Sequence, residues 1–349
     1  MKLLPILFLA GCALEEPTFS DVELFVKKNP GDCPTYGCGT NSPELGGRVT
    51  SEIHEFGAVT PDGMRLVDFG RMEGSTWKSY RPDVSGAMLY GRDKQTDVVK
   101  LQGGQVVGTM FVIEHVKTAE LFYIHVARLD ETLMWAQGPY AGQASATYEL
   151  VYTTPFNPKP RTVCANPPSA DPIGPNMALL FEDDRISREH LEVTTEEKDW
   201  FTIGCAGSAL AKLHLSGHTK AGSDIVGRTS KLSERTAFLK MLTADYCGMG
   251  DAYTVAGTRL HYRDFYGYMD SAIVGEPVEA LWGSKGAICV NKPRVEFSPS
   301  VLSDKTFGTD ITQELADFGC VLPQPCDPKT FEGSKHPYGD AYVLSTNTY

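Results

Sequence analysis

Seven of the 22 residues from Pro155 to Asn176 are proline, and that cluster restricts the possible folds of this chain more than any other feature. Each proline lacks an amide donor and fixes its own φ, so such a run can sustain neither a helix interior nor a central strand. The cluster predicts a linker over 155–176 with a folded unit on each side. The chain of 349 residues is long enough for both units, and with 42% hydrophobic and 22% charged residues it is not a disordered chain.

Before the linker, short alternating runs at 64–69, 87–90, 98–101, 105–113, 120–128 and 147–152 are separated by glycine-bearing turns. In the fifth run Phe122, Ile124 and Val126 share one face and Tyr123 and His125 the other. Gly103-Gly104 suits a two-residue hairpin. The expectation for 46–154 is an all-β antiparallel sandwich or open barrel. After the linker, strands at 177–181 and 199–203 precede a helix carrying Ala206, Ala209, Leu210 and Leu213, with Cys205 at its start. A second helix is expected from Ser230 or Ser233, burying Phe238, Met241 and Leu242 and ending at a left-handed Gly248. A hairpin about Ala256-Gly257 and strands at 279–282 and 287–290 follow. Together these predict an α+β protein, with a smaller two-helix α+β domain at 177–326 and a tail at 327–349.

Thirty-two basic against 44 acidic side chains leave a net charge of -12, the wrong sign for a surface that tracks phosphates, so nucleic acid is not an expected partner. The N-terminus reads Met1-Lys2, an apolar run at 3–9, then Leu9-Ala10-Gly11-Cys12. It resembles a bacterial lipoprotein signal. The resemblance implies removal of 1–11, diacylglycerol on the Cys12 sulfur and acylation of the new amino group. Ala13 in place of Asp implies the outer membrane. No other apolar run approaches the ~20 residues of a spanning helix, so the expected form is held to the membrane through Cys12, with a tether over 12–45.

Eight further cysteines, Cys33, Cys38, Cys164, Cys205, Cys247, Cys289, Cys320 and Cys326, read as disulfides in an exported chain. Short spacing suggests Cys33 with Cys38 and Cys320 with Cys326. With no CxxC pair, neither a metal nor a cofactor is expected.

The stretch Lys240-Met241-Leu242-Thr243-Ala244-Asp245-Tyr246-Cys247-Gly248, with residues 200–207 and Gly286-Ala287-Ile288-Cys289, resembles the ADYC domain, whose name is the tetrapeptide Ala244 to Cys247. The match is dense over about 199–293 and implies architecture, with no assigned catalytic residue. Gly204 departs from the Ala or Ser expected before Cys205. Asp245, read in the last turn of a helix, faces the negative end of the dipole and suits an acceptor for the amides of the turn at 248–252. Tyr246 suits a packing aromatic with an anchored hydroxyl.

Two function classes follow. In one, a Cys205–Cys247 disulfide staples a binding or structural protein of the envelope, with a protein or carbohydrate ligand. In the other, Cys205 is the nucleophile of a hydrolase of envelope peptides, with His214 as base and Asp245 as its orienter. The even cysteine count favours the staple, and nine helical residues place His214 roughly 13 Å from Cys205. His214 and His218 have metal-like i, i+4 spacing, but Gly217 between them ends the helix.

Overall fold

The computed structural model describes residues 42–164, 176–253, 260–270, 278–294, 315–316, 319–327 and 343–346. The signal segment with Cys12, the Cys33/Cys38 pair and the Ala256-Gly257 turn lie outside the described residues.

A small hairpin of β1 (Glu44–Leu45) and β2 (Arg48–Val49) precedes an eleven-stranded antiparallel sheet. Its strands are β3 (Glu52–His54), β4 (Met64–Glu73), β5 (Thr76–Ser85), β6 (Met88–Arg92), β7 (Val99–Leu101), β8 (Met110–His115), β9 (Glu120–Leu133), β10 (Ala144–Thr154), β11 (Asn157–Thr162), β12 (Met177–Ser187) and β13 (Glu192–Cys205). Helices α1 (Ala209–Leu215), α2 (Lys220–Ile225) and α3 (Leu232–Thr243) follow. A four-stranded sheet is then built from β14 (His261–Asp264), β15 (Val278–Gly283), β16 (Gly286–Val290) and β17 (Val343–Thr346).

The large sheet runs β3-β13-β12-β10-β9-β8-β4-β5-β6-β7, with β11 also on β10. It therefore corrects the expected boundary at 155–176. Tyr148 of β10 pairs with Ala178 of β12, and β3 lies beyond β13, so strands from both sides of the proline cluster complete one sheet. Pro158 and Pro160 are accommodated because β11 pairs only with β10, where alternate residues need no donor. The tail expected at 327–349 is also corrected, since β17 sits between β14 and β15.

The sheet curls over itself. Glu182 of β12 accepts hydrogen bonds from the amides of Gly86 (2.6 Å) and Ala87 (3.1 Å) in the β5–β6 turn, and the Tyr148 hydroxyl accepts from the Leu89 amide at 2.8 Å. Strand β5 makes a corner, pairing with β4 over its first half and with β6 from Arg81 onward. Phe69, Phe111, Phe122, Ile124 and Tyr148 fill the enclosed side. Among the described residues β3 and β7 share no ladder. On β12, Ala178 and Leu180 face the enclosed core while Met177, Leu179 and Phe181 face the helices, so its apolar run Met177-Ala178-Leu179-Leu180-Phe181 is buried on both sides.

Several local expectations change. Gly103-Gly104 opens a 3-10 turn rather than a hairpin, because β7 pairs with β6 and β8 with β4. Cys205 ends β13; α1 starts at Ala209, capped by Ser208, whose hydroxyl accepts from the Ala211 amide. Neither Ser230 nor Ser233 caps α3, whose N-cap is Lys231, and the left-handed residue that ends it is Ala244, four positions before Gly248. Among the described residues the disulfides are Cys164–Cys205, Cys247–Cys320 and Cys289–Cys326, with Cα separations of 5.3, 5.5 and 5.0 Å. The expected Cys205–Cys247 and Cys320–Cys326 pairs are thus incorrect: Cys205 lies in the enclosed core beside Cys164, whereas Cys247 lies at the far end of α3.

Non-reducing peptide mapping should recover these three linkages. The Cys164–Cys205 bridge spans 41 residues, which in the chain-entropy model contributes about 4 kcal/mol, so a Cys164→Ala/Cys205→Ala variant should unfold at markedly lower denaturant.

Candidate functional site

The motif at Ala244 to Cys247 begins where α3 stops. Ala244 takes a left-handed φ of 58°, and this reversal carries Asp245 beyond the helix and back beneath its last turn. Asp245 is fully buried. Its carboxylate accepts from Lys240 Nζ at 2.6 Å and from the amides of Met249 (3.0 Å) and Gly250 (2.9 Å). The expected conflict with the helix dipole does not arise, because α3 ends at Thr243 and a lysine from its last turn neutralises the charge.

Tyr246 turns into the small sheet. Its hydroxyl donates to Glu279 Oε1 at 2.6 Å and accepts from the Arg294 amide at 2.8 Å, while Arg294 Nε donates to the same Glu279 oxygen at 2.8 Å. Burial and the Glu279 charge push the phenol well above its ordinary value. It stays protonated and works as a donor. Cys247 is bonded to Cys320. The turn that follows approaches β15–β16 very closely. At Gly248 (φ +69°) a Cβ would lie 2.1 Å from the Lys285 carbonyl oxygen, and at Gly286 (φ +108°) 2.7 Å from that of Tyr246. Both positions need glycine for conformation and for space.

A second buried polar centre lies under the other end of α3. Arg235, fully buried, donates to Asp184 Oδ1 at 2.6 Å, to Ser230 Oγ at 2.7 Å and to the Ser230 carbonyl at 2.8 Å, and pairs with Glu196 at 2.8 Å. Asp184 also accepts from the Lys220 amide at 2.7 Å, at the start of α2. Burial raises its pKa to about 6 even with Arg235 beside it.

Cys205, His214 and Asp245 do not meet. The Cys205 sulfur is bonded to Cys164, which removes the nucleophile and overturns the hydrolase reading. His214 is fully buried between Ser145 Oγ (2.9 Å from Nε2) and Thr219 Oγ1 (2.8 Å from Nδ1), with its ring stacked on Phe181. Burial lowers its pKa to about 3. His218 lies past the end of α1 and contacts Asp264 instead. Among the described residues no group of three His, Cys, Asp or Glu side chains is placed to hold a metal ion. Gly204 has its reason here too, since a Cβ would sit 3.1 Å from the Ala211 amide nitrogen where α1 crosses β13.

The ADYC domain model matches residues 103–296, more than half of the chain and across the proline cluster. The chain belongs to the ADYC domain family. No curated protein and no solved structure matches. The ADYC match starts well upstream of the segment expected from the motif, and so takes in β8 to β13 as well as the helices. Glu279 and Arg294, which complete the ADYC centre, and Arg235 of the second buried centre carried no sequence signal, because each meets its partner only in the fold.

Removing the Asp245 carboxylate strands Lys240, and the loss from breaking a buried pair is about 3–5 kcal/mol; chemical denaturation of Asp245→Ala measures it. His214 predicts a pH effect. The folded imidazole stays neutral down to about 3, while the unfolded chain binds a proton below its ordinary value of 6.5. The unfolded state therefore holds more protons, and stability falls as pH drops from 6.5, by at most about 1.4 kcal/mol per unit. Asp184, raised from 3.8 to about 6, acts in the opposite sense, so the measurement is a difference. The advantage of wild type over His214→Gln should be largest above pH 6.5 and shrink at pH 5.

Proposed function

We propose that this protein is a lipid-anchored envelope protein whose ADYC domain serves a binding or structural role. The observation that carries this reading is that the four residues naming the family all hold the backbone in place: a helix-reversing alanine, a buried acceptor for turn amides, a buried phenol donor and a bridging sulfur. Three disulfides among the described residues support an oxidising compartment. The Leu9-Ala10-Gly11-Cys12 sequence supports an acylated N-terminus, and the residue after it supports the outer membrane. No described helix is long and apolar enough to cross a membrane. On this reading the curled sheet, a structure of open-barrel type, is a rigid body that the anchor holds at the membrane surface. In the binding form of this reading, the ligand would be a protein or a carbohydrate.

Fractionation of cells expressing the full chain tests the anchor. Protein extracted from membranes should carry acyl chains on an N-terminus at Cys12, and Cys12→Ser should accumulate as precursor or soluble protein. Unchanged membrane association of that variant would refute the proposal.

A further inference from the structure

Five buried side-chain polar atoms have no hydrogen-bond partner among the described residues, and three of them, His218 Nδ1, Glu234 Oε2 and Tyr268 Oη, belong to neighbouring side chains near the N-terminal half of α3. The exposures of His218, Glu234 and Tyr268 are 1%, 3% and 0%. The His218 ring stacks on Phe238 with centroids 4.1 Å apart and meets Tyr268 edge-on at 5.1 Å. Glu234 stands one turn before Phe238 on the same helix face, and its charge acts on the Tyr268 phenol. An unpaired buried polar group costs about 1–3 kcal/mol. Three in one cluster would be a large burden on the fold.

The donor and acceptor roles are set by what lies behind each group. His218 Nε2 is 2.9 Å from Asp264 Oδ2, and the Asp264 carboxylate otherwise accepts from the amides of Tyr266, Gly267, Tyr268 and Met269. The carboxylate accepts, so this bond selects the Nε2–H tautomer of His218, in which Nδ1 presents a lone pair. Glu234 Oε2 is a second acceptor. Burial raises the Tyr268 phenol above its ordinary value, so its hydroxyl donates. Two acceptors and one donor match a water molecule, which offers two protons and a lone pair. A metal ion fits less well: the phenol keeps its proton, only one imidazole and one carboxylate remain as ligands, and the Arg228 guanidinium stands over the Tyr268 ring at 4.9 Å.

We infer that His218, Glu234 and Tyr268 form an internal binding site for one water molecule, which donates to Glu234 Oε2 and His218 Nδ1 and accepts from Tyr268 Oη. The site joins the Asp264 turn after β14 to the start of α3 through His218. It is independent of the lipid anchor and of any ligand of the protein.

The substitution Tyr268→Phe in the full chain gives results of opposite sign for a bridged and an unpartnered hydroxyl. Removing a hydrogen-bonded hydroxyl should lower Tm by about 2–4 °C, whereas removing an unpartnered one leaves Tm unchanged or raises it, and either of those results would overturn the site. A crystal structure of the wild-type protein gives a second readout. Density for one atom within about 2.7–3.2 Å of all three groups is expected. An empty space there, direct contact among the three groups, or a peak at the ~2.0–2.2 Å of metal bonds that strengthens after zinc soaking would contradict it.

Discussion

Helix α3 buries two cations, and the arrangement of the C-terminal half depends on neutralising both. Arg235 and Lys240 are 0% and 1% exposed, and removing a charge from water is repaid only by a close counter-ion with its remaining hydrogen bonds satisfied. The two carboxylates come from different places. Asp184 comes from β12, immediately after Asp183, which takes a left-handed φ of 70° where the β12–β13 ladder shifts register. Asp245 comes from the chain's own continuation past α3. One end of the helix is thereby fixed to the large sheet and the other to the turn that leads toward the small one.

The ADYC tetrapeptide extends that second attachment outward. Asp245 holds the amides of Met249 and Gly250, Tyr246 reaches Glu279 on β15, and Cys247 captures the segment at 319–327, which Cys326 ties again to Cys289 on β16. Gly248 and Gly286 allow the two backbones to approach closely enough for these bonds to form. Four consecutive residues thus join a helix, a turn, a sheet and a distant segment. That is a structural reason for those residue types to stand together without any reaction among them.

Much of the sheet was legible because period-two alternation survives wherever one strand face meets the enclosed core, as at Phe122, Ile124 and Val126. Strand β5 escaped notice: its sequence, Thr76-Trp77-Lys78-Ser79-Tyr80-Arg81-Pro82-Asp83-Val84-Ser85, changes neighbours at Arg81, and its polar residues pair across the sheet instead of marking a loop. The proline cluster suggested a boundary because composition cannot distinguish a linker from an edge strand whose donors are not needed. Cysteine count indicated disulfides but not partners, since Cys164 and Cys205 become neighbours only once β10 to β13 have paired. Tyr246's role as an anchored aromatic was readable from its chemistry. Its partner Arg294 lies 48 residues away, and no local pattern connects the two.

The central claim is that the ADYC turn is a structural joint and not a mobile site loop. Native-state hydrogen exchange at the Met249 and Gly250 amides tests it most directly. Both belong to no regular element, yet they bond a fully buried carboxylate, so their exchange should require opening with a free energy close to that of global unfolding. Rapid exchange of these two amides, while those of α3 remain protected, would contradict the account.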